Sequence, residues 1–133
     1  MADFLVNRIG TILAVASVPA SVAFYTSHLG FTTETLYEDP GYATLVRDGV
    51  RLSLAAQGHP APDRPGISML APTDRGQIQV ALVLEVDDAR AVLAALGAEG
   101  VNPVADPFAP PWGGYRFFVA DPDGFLVEVE QVA

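Results

Sequence analysis

Residues 8–16 carry Ile9, Thr11, Leu13 and Val15 at every second position, on one face of an extended chain. That period predicts a strand. Ser17 then offers a helix cap, Pro19 suits a first turn, and Gly30 follows Leu29 as a stop. Between them Val18, Val22, Phe24, Tyr25 and Leu29 supply an apolar stripe. Three β-prone runs come next, over residues 32–38, 42–48 and 50–57. Pro40-Gly41 and Asp48-Gly49 punctuate them, the second being a strong hairpin dipeptide.

Residues 58–76 carry four prolines and four charged residues without periodicity, which predicts a connection that drapes over a cavity mouth. From Gln77 the order begins again. Ile78, Val80, Leu82, Leu84 and Val86 alternate with Gln79, Ala81, Val83 and Glu85, as in a half-buried strand. Asp87 or Asp88 caps a helix carrying Ala91, Val92, Ala95 and Leu96, and Gly97 or Gly100 ends it. A proline-rich stretch, NPVADPFAPPWGG, leads to strands over 115–120 and 125–132 joined by the turn DPDG. Val15 and Val86 close the two entry strands 71 residues apart, and Gly49 and Gly124 open the two final strands 75 apart. Each half therefore reads as strand, helix and three strands. The expectation is one α+β domain over residues 1–133, built from two βαβββ modules at about 8–57 and 77–132.

Composition narrows the chemistry. Half the residues are apolar and 17% are charged, as in a folded globular chain. The formal charge of −9 opposes nucleic-acid binding; it suits either a cationic ligand or simple solubility. Cysteine is absent, which excludes thiol catalysis and thiolate metal sites. All seven basic residues are arginine, so no lysine Schiff base can form. No apolar run nears the ~20 residues of a membrane span, and MADFLVNRIG lacks a signal pattern. The expected location is the cytoplasm, with no membrane partner.

The segment SVPASVAFYTSHLGF resembles the "S..FY...LGF" signature of the vicinal oxygen chelate superfamily, also called the glyoxalase, bleomycin-resistance and dioxygenase superfamily. PPWGGYRFFVADPDGFLVEVEQ is similar to its "PWG.R.F...DPDG...E" ending, and with VDDARAVLAALGAEG the likeness spans nearly the whole chain. The resemblance implies curved mixed sheets around a cavity and, in many members, pairing into homodimers. Metal-using members place ligands at one position on the entry strand and one on the final strand of each half. Carried onto this chain, those positions are Gly10, Ser53, Ala81 and Glu128. Glycine and alanine give no side-chain donor and serine is a poor ligand, so the expectation is no metal and no other cofactor. A slipped site using Gln79 with Glu128 is the alternative.

Several residues then stand out. Glu128 is either a base or cation anchor on an apolar wall, or a relic hydrogen-bonded within the sheet. Trp112, held between prolines and glycines, either stacks on a planar ligand or packs. Tyr42 and Phe118 on inner strands extend the aromatic wall or belong to the core. His28 suits a partly exposed helix end, and His59 lies in the connection. Neither has a partner at triad-like spacing, the DPDG carboxylates lack calcium-loop spacing, and no glycine pattern cradles phosphate. The chain thus reads as closest to metal-free bleomycin-resistance-like members. It is expected to sequester a drug-like, possibly cationic small molecule, with Glu128, Trp112, Gln79, Tyr42, Phe118 and Ser53 as the binding set. The alternative is a metal-dependent lyase, isomerase or dioxygenase using Glu128. A third is an interaction module whose cavity has filled.

Overall fold

Ser17 separates the first strand from the first helix. In the computed structural model, which describes residues 1–133, its side-chain oxygen accepts a hydrogen bond from the Ala20 amide at 3.2 Å. That bond satisfies one of the four free amides at a helix start. β1 (Gly10–Val15) precedes it and α1 (Val18–His28) follows. The helix ends where Leu29 and Phe31 donate to the Tyr25 carbonyl and Gly30 turns at φ +71. The Arg47 guanidinium donates to the Leu29 carbonyl, closing the helix end with a cation.

β2 (Thr32–Glu38), β3 (Gly41–Arg47) and β4 (Val50–Ala56) form an antiparallel run. Asp48 at φ 47 and Gly49 at φ 78 both take the left-handed conformation, which matches the twist of a tight hairpin. β4 then lies parallel to β1, giving the order β1-β4-β3-β2. One face of this sheet carries Leu13, Val15, Ala43, Leu45, Leu52 and Leu54, each at most 2% exposed, beneath Val18, Ser21 and Tyr25 of α1. Full burial of each leucine or valine side chain contributes about 1.5–3 kcal/mol, so this face holds most of the first unit's core.

The connection folds back rather than running free. Gly58 donates to the Met69 carbonyl at 2.9 Å, and the Gln57 side chain accepts from the Ala71 amide at 3.0 Å. Inside this loop Arg64 donates to the carbonyls of His59 and Ile67. The chain accordingly divides into two compact units, Met1–Ala71 and Pro72–Ala133.

The second unit repeats the plan with β5 (Ala81–Glu85), α2 (Ala89–Ala98), β6 (Tyr115–Ala120) and β7 (Leu126–Gln131). β5 lies parallel to β7 and β6 antiparallel to it, in the order β5-β7-β6. This matches β1-β4-β3 of the first unit, so the architecture is α+β with two related mixed sheets. Three details differ from the expectation. The entry strand begins at Ala81, not Gln77. The fourth strand position beside β6 holds only fragments, a hydrogen bond donated by the Val104 amide to the Phe118 carbonyl and a reciprocal bridge between Phe108 and Arg116. Pro103, Pro107, Pro110 and Pro111 have no amide to donate, so a continuous ladder cannot form there. On α2 the buried residues are Ala89 and Leu96, with Ala91 and Ala95 exposed; Asp88 is the cap, and Gly100 at φ +81 follows the Glu99 C-cap.

Candidate functional site

Strand alternation assigns each site residue to a face. In the first unit the face away from α1 carries Gly10, Ile12 and Ala14 of β1, Arg51, Ser53 and Ala55 of β4, and Tyr42, Thr44 and Val46 of β3. Small side chains form its floor: Ala14, Thr44, Ser53 and Ala55 are each at most 8% exposed. Thr35, Thr44 and Ser53 align across three strands as a row of hydroxyls, and the Thr35 and Thr44 oxygens lie 2.6 Å apart. Tyr42 stands beside Ala55 and opposite Tyr37.

A bulge between Thr33 and Thr35 re-aims Glu34, whose carboxylate lies 3.8 Å from Arg51 Nη2. The buried Arg51 Nε has no hydrogen-bond partner. Buried N–H groups are nearly always paired, so this unpaired donor is an exception.

In the second unit the corresponding face is acidic and aromatic. Its rows are Ala81–Leu126–Ala120, Val83–Glu128–Phe118 and Glu85–Glu130–Arg116. Glu128 and Phe118 are therefore direct cross-strand neighbours. Val127 and Val129, both fully buried, point to the other face with Phe117 and Val119. Glu128 is half-buried, and burial is the main cause that raises its pKa. The neighbouring charge of Glu130 raises it further, Arg116 opposes the shift, and a hydrogen bond joins the two carboxyl groups. Arg116 extends toward the Phe108 ring, 5.1 Å from its centroid. One carboxyl thus keeps its proton to a higher pH than an ordinary glutamate, beside an aromatic wall.

Trp112 is 75% exposed at the rim of a cleft of about 230 Å³ where β6 begins and β7 ends. Arg116, Glu130, Tyr115 and Gly114 share that cleft. Gly114 turns at φ +89, and a Cβ there would stand 2.7 Å from the Gln131 carbonyl, so the WGGY turn requires glycine. Gln79 is exposed and lies two residues before β5, off the paired ladder. His28 packs edge-on against Phe24 at 5.5 Å, and His59 is exposed. The DPDG segment is a turn: Asp121 Oδ1 accepts from the amides of Asp123 and Phe125, both at 2.9 Å.

The register thus joins Glu128 to Phe118 in one unit and places Ser53 and Tyr42 on one face of the other. It does not bring Gln79 into a paired row. Sequence reasoning missed Arg116, Glu130, Arg51 and Thr44. The signal for them was present, since each stands two residues from a chosen one on the same strand face.

The four chelating positions do not fit a divalent ion. Gly10 and Ala81 have no donor atom, Ser53 is buried with a neutral hydroxyl, and Glu128 alone is a carboxylate. No group of three or more histidine, aspartate or glutamate side chains gathers as a metal site would need.

Among curated proteins none matches this chain. Solved structures do. A glyoxalase/bleomycin resistance protein/dioxygenase from Nocardioides superposes with a TM-score of 0.76 at 22% identity, covering 99% of this chain and 86% of its own. TnmS3, an antibiotic binding protein from Streptomyces sp. CB03234, gives 0.72 at 20% identity, covering 99% and 100%. Lactoylglutathione lyase from Agrobacterium tumefaciens gives 0.73 at 19%, covering 96% and 95%. At these identities the likeness establishes the fold. The family model described as Glyoxalase/Bleomycin resistance protein/Dioxygenase superfamily matches residues 6–129, and the chain belongs to that superfamily.

Proposed function

We propose that this protein is a metal-free binder that sequesters a drug-like, cationic organic molecule. The observation that carries the reading is the donor count: of the four positions where the superfamily builds its chelate, only Glu128 holds a charged ligand. What surrounds Glu128 suits an organic cation instead. Phe118 stands directly opposite it, Glu130 shares its hydrogen bond, and Val83 and Leu126 add apolar surface. An antibiotic-binding relative of the same fold supports the ligand class. Trp112 and Tyr42 add planar surface in this reading, and Ser53 a hydroxyl. Gln79 joins only if its segment moves toward Glu128. No helix is long and apolar enough to cross a membrane. We take the setting to be the cytoplasm and the working form to be a homodimer.

Trp112 is the only tryptophan and is largely exposed, so it reports ligand directly. Titration with cationic glycopeptides and planar cationic drugs is expected to change its fluorescence saturably, and Glu128→Gln to weaken binding about tenfold or more. A panel without effect, or a stoichiometric divalent metal in gently purified protein that is lost in Glu128→Ala, overturns the reading.

One observation favours a second reading. Glu128 and Glu130 stand two residues apart on one strand face, burial and the Glu130 charge raise the proton affinity of the first, and paired carboxyls serve as acid and base in enzymes. A lyase or isomerase using Glu128 as base is then expected to lose turnover, with binding retained, in Glu128→Gln.

A further inference from the structure

The WGGY turn builds a cleft wholly within the second unit, and the Glu128 reading leaves most of it unused. Its volume is about 230 Å³, and neither Glu128 nor Phe118 lines it. Drug-sized ligands occupy about 300–1,000 Å³, so this cleft suits a smaller one, a single ring with a short head group.

The walls are held from behind. Pro110 is buried, and a Cβ at Gly113 or Gly114 would stand 2.9 Å from the Ala133 Cβ or 2.7 Å from the Gln131 carbonyl oxygen. The turn therefore presses directly on the end of β7. Tyr115 and Gln131 point to the other face of the sheet and are already engaged. The Arg90 guanidinium lies 4.0 Å from the centroid of the Tyr115 ring, and the Gln131 side chain accepts from the Ala89 amide at 3.0 Å.

Three groups are left to meet a ligand: the Trp112 indole, 75% exposed, the Arg116 guanidinium and the Glu130 carboxylate. The register sets Arg116 directly across from Glu130, so a cation and an anion stand side by side, about 5 Å apart at their Cβ atoms. The guanidinium rests over the Phe108 ring, 5.1 Å from its centroid, a weak contact at a partly exposed site. A carboxylate offers it a stronger, forked partner. Charge then selects the ligand. An aromatic amine satisfies Glu130 but sets a second cation beside Arg116. An aromatic acid satisfies Arg116 but meets Glu130 and the net charge of −9. A zwitterion answers both groups and carries no net charge to be repelled.

We propose that this cleft binds the zwitterion of an aromatic α-amino acid. Arg116 takes the carboxylate as a fork, Glu130 takes the ammonium group, and Trp112 stacks on the ring. The site goes beyond the cationic-drug reading: it shares Trp112 with that reading but does not use Glu128, so the two stand or fall separately.

Trp112 is the only tryptophan, so L-phenylalanine can be titrated into the full chain against its emission. A saturable change is expected, with a Kd of about 1 mM or tighter. Three further probes each lack one feature: phenylethylamine the carboxylate, phenylpropionate the ammonium group, and L-alanine the ring. Each should bind about tenfold more weakly or worse. Arg116→Met and Glu130→Gln, both at partly exposed positions, should each weaken phenylalanine about tenfold or more by calorimetry, with thermal melts to show that the variants fold. Glu128→Gln should leave phenylalanine binding within about twofold. If either variant does not fold, the probe comparison on the unmodified chain decides alone. Silence to phenylalanine, an equal response to phenylethylamine or phenylpropionate, full affinity in both charge variants, or loss in Glu128→Gln would each overturn the proposal.

Discussion

Glu128 shows how one residue's surroundings set its chemistry. Folding raises its pKa, mainly through burial and then through Glu130, against the pull of Arg116. The folded state therefore holds more protons than the unfolded chain between the ordinary glutamate pKa and the raised one, and stability falls as pH rises through that interval. Glu128→Gln, which mimics the protonated form and still donates to Glu130, is expected to stabilise the protein at neutral pH by less than about 1 kcal/mol. The gain should vanish below the ordinary carboxylate range. Urea denaturation of both proteins across pH 3–8 checks the sign. Gly114 and Gly58 isolate a second residue-level effect. Both sit at positive φ, but a Cβ at Gly58 meets nothing while one at Gly114 strikes the Gln131 carbonyl. Gly58→Ala should cost about 1–2 kcal/mol from backbone strain alone. Gly114→Ala should cost clearly more, read by the same denaturation.

At the scale of elements, the two helices are fixed by equivalent caps. Ser17 accepts from Ala20 and Asp88 from Ala91, each three residues on. Replacing either with alanine is expected to cost about 1 kcal/mol, measured by thermal unfolding. Strand β4 offers a sharper test of the faces. Leu54, fully buried toward α1, should cost about 2–5 kcal/mol as Leu54→Ala. Its neighbour Ser53 faces the other way, and Ser53→Ala should stay within about 1 kcal/mol. Equal effects would mean that the pleat is wrongly assigned. Most of this level was legible in the sequence, because a period of two and a cap followed by an apolar stripe are local signals. The missing outer strand of the second unit was less so. Its prolines were visible, but their effect depended on which edge they would meet.

For the whole molecule, repetition is the governing feature. The same element order is used twice, yet the two sheet faces have diverged chemically. The first unit presents hydroxyls, tyrosines and Arg51; the second presents carboxylates around Phe118 and Arg116. With a formal charge of −9, attraction of a cationic ligand should weaken as salt screens it, falling severalfold between about 20 and 200 mM ionic strength. A neutral planar ligand of similar size should show little such dependence. Fluorescence titrations at the two salt levels separate the cases.

The sequence by itself determined the elements, their doubled order and the superfamily, because those follow from periodicity, turn residues and the spacing of short motifs along the chain. It also limited metal chemistry, since donor atoms are counted by residue type. Only the tertiary structure decided which side chains meet. That Phe118 stands against Glu128, and that Glu130 and Arg116 shift its proton affinity, are matters of strand register. Register is set by pairing between segments far apart in the chain, and no local pattern encodes it.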